Sequence, residues 1–137
     1  MIYMAAYAGS LIFFGILDAL WLWSMSSRIY RPVLGDILLS DMRIWPALTF
    51  YFLYPVGLTF FATSPALKSG LWTVAILNGA LFGAFAYGTY DLTNYATLRN
   101  WTLQITLIDI VYGAVLSSVA SLAGYWVARA VFGKSSI

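Results

Sequence analysis

Three aspartates stand inside long apolar runs of this chain, Asp18, Asp91 and Asp109. An ionisable side chain in the middle of a lipid-embedded helix costs about 3 kcal/mol even on insertion scales, several times what one Leu returns. Carboxyls in that setting can anchor helices by accepting hydrogen bonds, or hold a proton, a cation or a cationic amphiphile. They can also divide their roles as general acid and general base. Polar neighbours gather around them: Tyr90, Thr93 and Asn94 beside Asp91, and Thr106 and Tyr112 within a turn of Asp109. The candidate polar pocket is therefore Asp18, Tyr90, Asp91, Thr93, Asn94, Thr106, Asp109 and Tyr112.

Other chemistry is scarce. The chain has no His, no Cys and no Glu, so disulfides, thiolate nucleophiles, imidazole bases and the usual zinc or haem ligands are lacking. No metal site and no cofactor is expected. A net charge of +2 from scattered residues provides no basic stripe, which excludes nucleic acid as a partner. With 62% hydrophobic and 9% charged residues, a chain of 137 cannot hide its apolar surface inside a soluble globule, so the partner of that surface is the lipid bilayer.

The elements that must position the aspartates follow from the apolar segments. Four are near the roughly 20 residues that cross a 30 Å hydrocarbon core, at 3–25, 44–63, 71–92 and 101–128. Each must be helical, because open strand edges are not tolerated in lipid and four strands cannot close a barrel. The first run lacks a basic lead and is too long for a cleaved signal, so it reads as a retained span. Short connections make neighbours antiparallel. The expected fold is all-α: a four-helix transmembrane bundle, up-down-up-down, in a single membrane domain covering 1–137.

The longer first connection, Ser26 to Arg43, repeats apolar residues among charged ones and reads as a short interfacial helix between the first and second spans. Pro55 should bend the second helix. All six Trp fall near predicted span ends, as a membrane-interface belt requires. Four Lys or Arg (Arg28, Arg31, Arg43, Arg99) lie with the first and third connections, against three (Lys68, Arg129, Lys134) with the termini and second connection. That margin leans only slightly towards cytoplasmic loops.

Small residues mark the seams, since in lipid close backbone approach replaces hydrophobic drive. Gly79, Gly83 and Gly88 on the third helix and Gly113, Ser117 and Gly124 on the fourth are the expected packing positions. Asp91 and Asp109 continue those stripes and so face inward. At 1.5 Å per residue, Asp18 lies about 10 Å inside the boundary at Met25, Asp109 about 12 Å inside that at Trp101, and Asp91 near the boundary. All three share one half of the bilayer, which predicts a single pocket opening towards the face of Arg28 and Arg99.

The run Gly79-Ala80-Leu81-Phe82-Gly83, continuing through Ala86-Tyr87-Gly88-Thr89-Tyr90-Asp91-Leu92-Thr93-Asn94 to Ala96-Thr97-Leu98-Arg99, resembles the signature of a bacterial membrane family catalogued as domain of unknown function 2177. Asp18-Ala19-Leu20-Trp21-Leu22, Phe50-Tyr51 to Gly57-Leu58, and Thr106 to Asp109 with Tyr112-Gly113 extend the resemblance over nearly the whole chain. It implies a small four-span protein of the bacterial inner membrane and supplies no reaction. The favoured reading is a scaffold or accessory subunit of a larger membrane assembly or homo-oligomer. Binding or transport of a proton, cation or lipophilic ligand comes second, and a membrane enzyme acting on lipid or isoprenoid substrates third.

Overall fold

The protein is described by a computed structural model covering residues 1–133; Lys134, counted with the terminal charges, lies outside the described residues. The described residues form helices and turns without a strand. Four long helices run over Ile2–Leu34, Ile44–Ser69, Trp72–Thr97 and Leu103–Phe132. The first, second and fourth are long and apolar enough to cross a membrane. The third is long enough at 26 residues, but its apolar content is diluted by the glycines of its seam and by Asn78, Asp91, Thr93 and Asn94. Large apolar side chains point outwards along all four, among them Phe13, Trp23, Phe60, Phe85 and Val111, as lipid contact requires.

The fourth helix is the hub. It packs along the third and, on another face, along the first, while the second closes the ring against the first and third. Seams between backbones explain the hub position. A Cβ added at Gly83 would strike the carbonyl of Gly113, one at Gly79 would come 2.7 Å from the carbonyl oxygen of Ser117, and one at Gly113 would enter the Tyr87 ring. On the opposite face, Gly124 meets the first helix, where an added Cβ would lie 2.6 Å from the carbonyl oxygen of Ala6. Gly9 is its partner there, 3.1 Å from the Gly124 Cα by the same test, and was not expected as a packing position. Gly88 departs from expectation: although it is buried, an added Cβ there would meet only Ile110 Cδ1 at 4.0 Å.

Buried hydroxyls reinforce the seams. Ser10 donates to the Ala120 carbonyl (3.0 Å), Ser118 to that of Ile76 (2.7 Å) and Ser121 to that of Ala75 (2.9 Å), while Tyr54 and Ser117 share a hydrogen bond of 2.7 Å. Apolar packing among Phe14, Leu58, Leu116 and Ala120 fills the middle, and Ala6, Ala66, Leu67, Ala75 and Ala128 fill the end near the termini.

Two boundaries differ from those expected, and a proline is involved in each. The separate interfacial helix does not form. Instead the first helix continues past Met25 through a π-turn, Ser26–Tyr30, and a last α-turn, Arg31–Leu34; only residues 35–43 form the connection. The second helix likewise passes through a π-turn, Thr59–Thr63, and ends at Ser69, with left-handed Gly70 (φ 72°) as its stop. Pro32 and Pro65 each follow one of these turns by two residues. Proline has no N–H to give, and the wider turn before it, in which Arg31 N–H reaches the Ser26 carbonyl and Ser64 N–H that of Thr59, lets the chain stay helical. Ser64-Pro65 therefore lies within a helix rather than in a loop, a tolerance common in membrane segments.

Candidate functional site

A cavity of about 470 Å³ opens in the half of the bundle that faces the first and third connections. All four helices contribute to its wall: Asp18, Trp21, Leu22, Ser26, Tyr30 and Leu34 from the first, Phe50 and Tyr54 from the second, Ala86, Tyr87 and Tyr90 from the third, and Asp109 and Tyr112 from the fourth. Leu38 of the connection completes it. Its size falls within the usual range for small-molecule pockets. Leu22, Phe50, Leu38 and Tyr90 stay exposed at the rim, so the mouth is largely hydrocarbon.

The polar end is built from carboxyls held by phenols. Asp18 accepts hydrogen bonds from Tyr51 and from Tyr112, the latter at 2.8 Å. Asp109 accepts one from Tyr30, whose oxygen in turn accepts the indole N–H of Trp21 at 3.0 Å. Trp21 also stacks on Tyr112, with ring centroids 4.0 Å apart and planes 10° from parallel. Thus Tyr30, carried on the π-turn, ties the extended end of the first helix to the fourth. These donors are neutral, and the cavity lining contains no Lys or Arg. Whatever negative charge resides on Asp18 and Asp109 is therefore not cancelled by a basic residue of the cavity wall.

Asp91 is set differently. Its side chain is wholly buried (0% exposed), neither carboxyl oxygen has a donor, and it faces the Asp109 carboxyl at hydrogen-bonding range. Two ionised carboxylates offer each other no donor, so a bond between them forms only when one carries a proton. Asp91 thus backs Asp109 from behind the wall and is not one of the cavity-lining residues, which corrects the expected three-sided arrangement. Among the described residues no group of three carboxyls is placed to hold a metal ion.

Of the other expected pocket residues, Tyr90 and Tyr112 line the cavity and three do not. Thr93 turns back to its own helix, donating to the Thr89 and Tyr90 carbonyls, because a threonine on an exposed helix face satisfies its hydroxyl locally. Asn94 lies one turn beyond Tyr90, past the cavity. Thr106 is buried beneath the site, where it accepts the Trp101 indole N–H at 3.0 Å and donates to the Thr102 carbonyl at 2.8 Å. That bond draws Trp101 inside (4% exposed), and Trp21 is likewise committed to the interior network, while Trp23 (83%) and Trp45 (81%) keep the exposure of a membrane belt.

Tyr30, Tyr51 and Tyr54 were missed as site residues. For Tyr30 and Tyr51 the signal was available, since a phenol in the hydrocarbon must find a partner for its hydroxyl and the aspartates were the obvious acceptors, whereas Tyr54 pairs with Ser117.

The family model described as "Predicted membrane protein (DUF2177)" matches residues 3–126. No curated protein and no solved structure shows detectable similarity to the chain.

Proposed function

Since the chain belongs to this family of membrane proteins, we propose that it crosses the bacterial inner membrane four times and binds a lipophilic cation in the cavity of Asp18 and Asp109. The observation that carries this reading is the combination of two carboxyls, no basic residue and many aromatic rings around one cavity. A cation entering there meets the carboxylates directly and the faces of Tyr87, Tyr90, Tyr112 or Trp21 alongside, an attraction worth about 2 kcal/mol or more once desolvated. The apolar wall of Leu22, Leu34, Leu38 and Phe50 supports a hydrocarbon portion on the same molecule. A scaffold role has less support, because Gly79, Gly83, Gly113 and Gly124, the small residues of the seams, are occupied by contacts within the chain.

The test is equilibrium binding of tetraphenylphosphonium to detergent-purified protein, with uncharged triphenylphosphine as comparison. Saturable binding of the cation is expected, with affinity reduced at least tenfold in Asp18→Asn and Asp109→Asn and unchanged in Asp36→Asn, which lies in the exposed connection. Equal binding of the uncharged compound, or unchanged affinity in both cavity variants, refutes the reading.

A further inference from the structure

A second cavity, of about 680 Å³, lies at the other end of the bundle between the first and second helices. Its wall is apolar apart from its mouth: Met4, Val56 and Phe60 run along it, and Lys68 is its one charged lining residue. Tyr7 closes the inner side by donating to the Phe52 carbonyl at 2.9 Å. Three donors at the mouth, the Lys68 ammonium and the hydroxyls of Ser64 and Tyr3, have no acceptor among the described residues. Each is at or near a helix end on the face that carries the N-terminus and Gly70. From Lys68 to Val56 the second helix rises about 18 Å, close to the roughly 15 Å hydrocarbon depth of one leaflet.

We infer that this groove seats an anionic phospholipid, its phosphate on Lys68, Ser64 and Tyr3 and one acyl chain laid along Met4, Val56 and Phe60. Charge complementarity selects the headgroup, because a lone lysine above an apolar slot favours a net negative lipid over a zwitterionic one. The depth selects a single-leaflet chain. The site is separate from the aspartate cavity and shares no lining residue with it.

Native mass spectrometry of the protein with equimolar phosphatidylglycerol and phosphatidylcholine of matched chains provides the test. Phosphatidylglycerol should be retained about fivefold more, the attraction of one lysine at an anionic membrane surface. Lys68→Gln should remove that preference, and Arg99→Gln, on the opposite face, should keep it. Val56→Trp, which fills the groove from its wall, should lower retention of both lipids. Equal retention of the two lipids by the parent overturns the inference. So does a preference that survives Lys68→Gln, or displacement of the lipid by inorganic phosphate alone, which would mark a phosphate site without a chain.

Discussion

Gly83 and Gly88 lie five residues apart on one helix, and alanine at each should have opposite effects. At Gly83 the added methyl meets backbone: besides the Gly113 carbonyl oxygen, the carbonyl carbon of Gly113 would be 2.8 Å away. Ordinary contact begins near 3.4 Å, so clearing that carbon alone requires the fourth helix to retreat by about 0.6 Å along its most extensive seam, and the nearer carbonyl oxygen requires more. Backbone cannot rotate away as a side chain can. Overpacking of this kind costs about 1–3 kcal/mol, against about 1 kcal/mol gained when Ala replaces Gly in a helix. Gly83→Ala should therefore lose up to about 2 kcal/mol net, and Gly83→Leu more. At Gly88, with only Ile110 Cδ1 at 4.0 Å, the helix term stands nearly alone, so Gly88→Ala should be neutral or more stable by up to about 1 kcal/mol. Reversible unfolding by SDS in mixed micelles, followed by circular dichroism, reads both. If Gly83→Ala is as stable as Gly88→Ala, the third and fourth helices do not approach as described and the seam argument fails.

Two further outcomes are expected. Single cysteines at Ser27 and Asn100 should label from one side of sealed vesicles and a cysteine at Ser69 from the other; labelling of all three from one side would remove the crossings of the second and third helices. Asp91→Asn should fold at least as stably as the parent, by up to about 1 kcal/mol, because the introduced amide can donate to Asp109 where the native carboxylate has no donor. A large loss of stability in the same SDS assay would mean that Asp91 has a partner that the Asn amide cannot serve.

The common end of Asp18 and Asp109 was legible, because helix rise alone puts both towards the first and third connections, where the structure has them on one cavity. The inward direction of Gly83 and Gly113 was legible too, from small residues spaced for close approach. What the sequence obscured came from two assumptions. The expected spans stop at 25 and 63, before Arg31-Pro32 and Ser64-Pro65, and proline usually ends a soluble helix, whereas here each proline follows a π-turn inside a continuing one. Assigning Tyr30 to a surface segment then concealed its bond to Asp109. Gly88 looked like a further step of the seam, and only the tertiary packing around it, where Ile110 Cδ1 is the sole near neighbour, shows it to be roomy.

The π-turn at Ser26–Tyr30 has a consequence for phase. Five cavity residues of the first helix fall at strict steps of four: Asp18, Leu22, Ser26, Tyr30 and Leu34. In an unbroken α-helix each such step advances 40° around the axis, so Leu34 would face about 160° away from Asp18, out towards lipid. A turn closed by an i→i+5 bond holds more residues per revolution and sets the helix back, keeping the lower part of the stripe in line with the upper. The irregular turn thus acts as a rotational correction. Closing it as an ordinary α-turn with every residue kept would swing Tyr30 and Leu34 off the cavity together, whereas deleting one residue from it would leave both in phase.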